Sequence, residues 1–515
     1  MNKKQISINM LSGIISSVIT LGISFLITPY LVENLGDEAY GYIGLSNNFI
    51  TIATIFTTAL NSMANRFIII AYEKKDYEKV NEYFSSLLAA GGVLAVLFMV
   101  AGLMVSFNID KIFNITPALL SAVKITFILS VTNFSVISLF TVFTASAYTK
   151  NRLDLTARAE IIANIVKAAV LVVIFSTMQP QIYYVTIGGL AYTIALYYGH
   201  IKNTKRIMPQ VNIKLAYAKI RTVKELVVSG IWNSFNSIIQ ILMVGLDLAL
   251  ANWLLDGRAM GLISISSTIT VASNSVLVVV TNAFKPTLAK TYAKGDYGLL
   301  YKQMHISNNL QSAIMLVPIA GICVFASKFY AVWMPYKSVE DIQIISAVTF
   351  LKVFDQFAGL TNDSIRGSFY LYNRLKGNAL CKLILSLFNV PIVVLLVKLS
   401  GNYFASILII SGLSSLLYLV YYWIFVPLYA SKITGIKVRG YYKIICQSIV
   451  MFVAVIIPFY VINQYTSANS WPDFFIIVGF AAAVGYMITF AIALNRQQKK
   501  QLFLKAKNII WRKHE

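Results

Sequence analysis

Apolar stretches separated by short polar connectors run through this chain from end to end. Runs of about 20 apolar residues, the length a helix needs to cross a hydrocarbon core of ~30 Å, fall at 8–31, 42–63, 84–107, 119–147, 157–178 and 182–201. After a basic connector they resume at 226–255, 259–284, 305–326, 342–370, 378–399, 403–427, 442–463 and 473–494. The pattern predicts an all-α polytopic membrane protein of about 14 transmembrane helices.

Two of the runs are striped rather than uniformly apolar. In 342–370, Lys352, Asp355, Gln356, Asn362, Asp363 and Arg366 fall within an arc of about 120° when placed at about 100° per residue. In 226–255, Ser229, Asn233, Asn236, Ser237, Gln240 and Asp247 share a similar arc. One charge at the centre of a lipid-facing helix costs roughly 2.5–3.5 kcal/mol. Gathered on one stripe, such residues can face a wet interior instead, so the two stripes predict a polar cavity between membrane helices.

Of the 515 residues, 58% are hydrophobic and 12% charged, with a net charge of +23. In a soluble protein that charge would point to nucleic acid; here its placement points to a membrane. With the N-terminus inside, Lys74, Lys75 and Lys79, then Lys202, Lys205, Arg206, Lys214, Lys219, Arg221 and Lys224, occupy inward loops. Outward loops hold only Lys111, Arg258, Lys328, Lys337 and Lys398. The positive-inside rule therefore predicts both termini in the cytoplasm and short outward loops without a domain. The basic tail from Asn495 to Glu515 reads either as an amphipathic helix on the inner leaflet or as a solvated tail.

Cys323, Cys381 and Cys446, and likewise His200, His305 and His514, are scattered without ligand spacing, so no metal site or other cofactor is expected. No phosphate-binding G-x-x-x-x-G-K-[ST] loop occurs. Transport would then draw on an ion gradient, the membrane potential or the substrate gradient.

The chain also matches itself at an offset of 220. Tyr72, Lys74, Asp76 and Tyr77 pair with Tyr292, Lys294, Asp296 and Tyr297, and Leu35, Gly41, Ile43 and Ser46 with Leu255, Gly261, Ile263 and Ser266. Asn151-Arg152-Leu153 is echoed by Asn373-Arg374-Leu375. Six spans per copy, an even number, predicts two parallel six-helix repeats about an axis along the membrane normal. The resulting organisation is an N-lobe over 1–205, a C-lobe over 206–430, two additional helices over 431–494 and the tail.

The stretch from Pro29-Tyr30-Leu31 through Leu35-Gly36 to Tyr40-Gly41 resembles the first-loop signature of polysaccharide repeat-unit flippases. Arg66 at the inner end of the second span, and Asp247 within GLDLALANWLL, are similar to the basic and acidic residues that family carries there. The resemblance covers essentially the whole chain and implies the multidrug/oligosaccharidyl-lipid/polysaccharide exporter superfamily. It implies alternating access, a polyprenyl-diphosphate-linked sugar as substrate, membrane lipid as surroundings, a proton or sodium as coupling ion, and polysaccharide polymerase machinery as partner, in a bacterial cytoplasmic membrane. Leu255-Asp256 stands where the first copy has Leu35-Gly36, so the first turn's chemistry is not expected to carry over.

The candidate cavity residues are Arg66, Lys167, Asn233, Asn236, Gln240, Asp247, Lys285, Lys352, Asp355, Asn362 and Arg366. Lys352, Asp355 and Arg366 either line a substrate path or neutralise one another within the helix. Asp247 reads as a proton or cation site or as a hydrated residue near the outer surface. Arg66 and Lys285 end corresponding helices and suit a diphosphate, though inward loops collect cations anyway. Lys167, mid-span, cannot snorkel as Lys382 can. A drug or organic-cation exporter is the alternative within the class; a membrane glycosyltransferase or polymerase is the alternative outside it, and it lacks the large outward loop such chemistry uses.

Overall fold

The computed structural model describes residues 3–493, and every regular element among them is helical. The chain divides into two compact units, Met1–Thr268 with Val390–Ile410, and Ile269–Asn389 with the chain from Ser411 onward. The first holds α1 (Lys3–Leu35), α2 (Asp37–Glu73), α3 (Tyr77–Phe107), α4 (Leu120–Phe140), the short α5 (Ala145–Thr149), α6 (Leu153–Thr177), α7 (Ile182–Ile207), α8 (Ile220–Gln240) and α9 (Asp247–Leu254). α10 (Gly257–Asn282) begins in the first unit and ends in the second. The second continues with α11 (Lys285–Ala293), α12 (Tyr297–Trp333), α13 (Val339–Leu360), α14 (Asp363–Leu371), the start of α15 (Leu375–Ser400), most of α16 (Tyr403–Val420), α17 (Val426–Thr434), α18 (Val438–Tyr465) and α19 (Trp471–Ala493).

Among the described residues, eleven helices are long and apolar enough to cross a membrane, or twelve if the bent pair α13–α14 is one span. All fourteen predicted stretches fold as helix, but α7 falls short of that apolarity and the side chains of 58–63 in α2 lie outside the described residues, so a count of fourteen is not established. For α7 the reason is composition, since it carries several Tyr, Thr and Gly. Lipid offers helices little hydrophobic reason to associate, so packing and hydrogen bonds must hold them. In the second unit the phenyl rings of Phe357 on α13 and Phe452 on α18 stack at 4.1 Å, within a core that α12 and α19 complete.

The internal repeat is visible as matched turns. After α2, Lys75 has φ 59°; after α11, its counterpart Gly295 has φ 73°. Each turn donates a backbone N–H to the tyrosine carbonyl three residues back, at 2.9 Å for Lys75 to Tyr72 and 3.0 Å for Gly295 to Tyr292. The next helix is capped in both copies by an aspartate: Asp76 accepts from Lys79 N at 3.0 Å and Asp296 from Leu299 N at 2.8 Å. Asn151 and Asn373 likewise share φ 52° and 51°, a conformation that asparagine tolerates better than most residues. The expected departure is real too. Gly36 precedes α2 with φ 84°, whereas Asp256 precedes α10 and caps it by accepting from Ala259 N at 2.7 Å.

Within the first unit, the beginnings of α2 and α10 touch through equivalent residues. A methyl group on Gly41 would sit 2.9 Å from the backbone N of Gly261, its own counterpart. One on Gly44 would run into Ser264 Oγ, again its counterpart. Contacts of position i with i+220 at two successive turns require these helix starts to run side by side in the same direction. That is the arrangement a parallel repeat dictates.

Candidate functional site

The predicted stripe in 342–370 is broken. α13 and α14 meet at 54°, and a break inside lipid requires that the freed carbonyls find donors. Side chains supply them. Arg366 donates from Nη2 to Gly359 O at 3.1 Å, Asn308 on α12 donates to Thr361 O at 3.2 Å, and Asn362 donates to Thr361 Oγ1 at 2.7 Å. Trp423 Nε1 donates to the same Thr361 hydroxyl at 3.2 Å. Thus a guanidinium that sequence reasoning placed in a cavity also closes the end of a helix.

The bend leaves a cavity of ≈ 250 Å³ in the second unit, and Asp355, Gln356, Asp363 and Arg366 all reach it despite the break. α10 and α11 add Asn274, Asn282 and Lys285, and Tyr422 closes one side. Arg366 Nη2 lies 3.2 Å from Asp363 Oδ1, and the guanidinium sits 5.1 Å from the centre of the Tyr422 ring. Its Nε is buried and reaches no acceptor among the described residues. Lys285 Nζ donates to Asn282 Oδ1 at 2.6 Å. Gln356 is fixed against α10, accepting from Ser273 Oγ at 2.7 Å and donating to Thr270 O at 2.8 Å. The lining therefore carries two cations, Lys285 and Arg366, and two carboxylates, Asp355 and Asp363. The described lining is charge-balanced.

The other expected residues fall elsewhere. Lys352 is half-buried on α13, outside the set that lines this cavity. Asn362 is fully buried at the break, where it serves the helix ends. In the first unit, Arg66 is exposed on α2 and Lys167 half-buried on α6. Within 226–255 a π-helical turn over Ile241–Gly245 follows α8, and its wider winding shifts the phase of Asp247, the stripe residue beyond it. Gln240 is accordingly exposed while Asp247, at the start of α9, is buried. The side chains of Asn233 and Asn236, and the tail Asn495–Glu515, lie outside the described residues.

A polar seam between α1 and α6 escaped the sequence reading. Ser16 Oγ donates to Glu160 Oε2 at 2.7 Å, and Asn164 Nδ2 to Thr20 Oγ1 at 2.8 Å. Glu160, Asn164 and Lys167 follow i, i+4, i+7 spacing, which puts them on one helix face. That periodicity was the signal available. A separate, almost purely apolar cavity of ≈ 320 Å³ lies in the second unit among α12, α18 and α19, lined by Pro318, Phe325, Phe459, Phe474 and Ala481 among others.

Known proteins fit this architecture. The chain is 26% identical over 506 residues to the uncharacterized membrane protein EpsK of Bacillus subtilis (strain 168), covering 97% of this chain and 98% of that protein. Among solved structures, the lipid II flippase MurJ in an inward closed conformation superposes with a TM-score of 0.66 at 14% identity, over 94% of this chain and 98% of that one. An inward-facing multidrug resistance MATE family transporter of the MOP superfamily gives a TM-score of 0.64 at 12% identity, over 82% and 96%. These likenesses establish the flippase and transporter fold. The model of the polysaccharide biosynthesis protein family matches residues 6–292, more than half of the chain, and this multi-pass membrane protein belongs to that family.

Proposed function

We propose that the chain moves a polyprenyl-diphosphate-linked oligosaccharide from the inner to the outer leaflet of a bacterial cytoplasmic membrane, with both termini on the cytoplasmic side. The physical difficulty is carrying a sugar diphosphate through a ~30 Å hydrocarbon core. The observation that carries the reading is Arg366, which keeps a buried N–H without an acceptor among the described residues, beside a polar cavity. Guanidinium groups suit phosphate oxygens, which accept two parallel hydrogen bonds. Lys285 adds a second cation, while Asn274, Asn282 and Gln356 offer the amide groups that sugar hydroxyls pair with. The apolar cavity lined by Phe325 and Phe459 suits hydrocarbon, as a prenyl tail would need. Membership in the polysaccharide biosynthesis family supports the substrate class.

One observation favours the organic-cation alternative, namely the two carboxylates in the lining. Cells lacking the native gene and carrying Arg366→Gln with Lys285→Gln separate the readings. The proposal expects lipid-linked sugar to accumulate on the inner leaflet at normal protein abundance. Normal export by that variant, together with lost resistance to cationic drugs when Asp355→Asn and Asp363→Asn are combined instead, would replace it with the drug-exporter reading.

A further inference from the structure

Asp355 is the odd member of the cavity. Its Oδ1 is shut off from solvent and accepts no hydrogen bond among the described residues, whereas Asp363 is engaged by Arg366. A buried carboxylate oxygen without a donor is costly while it carries charge. The charged and titratable groups that face it come from three sides. Arg366 stands on α14, Lys382 on α15, and Tyr418 and Tyr422 interact with it from α16 and the turn after it. Lys285 on α11 and Asp363 share its cavity, and Lys352 lies one turn earlier on its own helix.

With Asp355 ionised, the lining's two cations and two carboxylates cancel, and an entering diphosphate is drawn only by Lys382 behind them. With Asp355 protonated, one carboxylate remains against two cations. We infer that Asp355 takes up a proton when the diphosphate binds, so that proton and anionic substrate occupy the cavity together rather than in exchange. This rests on the diphosphate reading of the cavity. The proton goes onto the Asp355 carboxyl, no covalent bond to the substrate forms, and the proton leaves as the substrate departs.

The sign of the coupling follows. Linked uptake of one proton makes affinity fall by up to about tenfold for each pH unit above the point where Asp355 ionises in the empty protein. A cavity that exchanged proton for substrate would bind more tightly as pH rose.

The test uses the full chain in lipid nanodiscs and a farnesyl-diphosphate-linked N-acetylglucosamine. Both of its phosphates are esterified, so it lacks the phosphate ionisation near pH 6 that a phosphomonoester carries. Calorimetry in two buffers of different ionisation enthalpy counts protons taken up per ligand. Close to one proton is expected, with affinity weakening toward alkaline pH. Asp355→Asn should bind with no proton uptake and a flat pH profile, while Asp363→Asn should keep the uptake. Binding by the native chain without proton uptake, or with affinity set by sodium instead of pH, overturns the coupling and leaves the diphosphate reading standing. No binding at any pH removes the diphosphate reading and the coupling with it. If Asp355→Asn fails to fold, the proton count on the native chain still decides.

Discussion

Replacing Arg366 by methionine keeps much of the side chain's length and removes its charge and donors. Three interactions go with it: the cap on Gly359 O at 3.1 Å, the Asp363 contact at 3.2 Å and the placement over Tyr422 at 5.1 Å. A hydrogen bond to a charged group contributes about 1.5–3 kcal/mol, a partly buried cation–π contact about 0.5–2, and an i,i+3 ion pair a few tenths. Gly359 O retains a 3.3 Å bond from Asn362 N, which pulls the cap toward its lower limit. The local loss is therefore about 2–4 kcal/mol. Asp363→Asn removes only the ion pair and should cost about 0.5 kcal/mol. Hydrogen exchange over residues 357–366 reads the difference, because amides at the break report local opening. Arg366→Met should speed exchange there at least about 30-fold, since 1.4 kcal/mol is a factor of ten. If the methionine variant exchanges no faster than Asp363→Asn, the guanidinium does not hold the break, and its place in the site is explained by the cavity alone.

Two further outcomes test the repeat. Gly44→Ala should destabilise the purified protein by about 1–3 kcal/mol through overpacking against Ser264, lowering its thermal midpoint, and adding Ser264→Gly should recover most of that loss. Asn151→Ala and Asn373→Ala should each cost about 1 kcal/mol because both positions hold a positive φ, whereas Asn→Gly at either position should cost little; chemical denaturation of each variant ranks them.

The helices were legible because apolar run length alone marks a span, and the repeat because its turns keep a few chemically demanding positions. Tyr72, Asp76 and Asn151 have counterparts since the turn and cap need them, not the membrane. The two interruptions were not legible. Neither Ile241–Gly245 nor Thr361-Asn362 contains proline, and the donors that make the second tolerable, Asn308 and Trp423, come from distant parts of the chain. Assuming unbroken helices put Lys352 and Asn362 on the cavity's face with Asp355 and Arg366; the bend turned Asn362 to the helix ends, while Lys352, a turn before Asp355 on the same α13, lies outside the lining. Glu160 was passed over because it stands near the start of its span, where a carboxylate attracts no notice until Ser16 is seen to donate to it.

The seam at Gly41 and Gly44 constrains the protein's history. Gly44 meets the side chain of its own duplicate, Ser264, and cannot be enlarged without that twin giving way, so drift in one copy is policed by the other. Homologues that carry bulk at position 44 should be found with a small residue at position 264, so the two copies must change as partners at that contact.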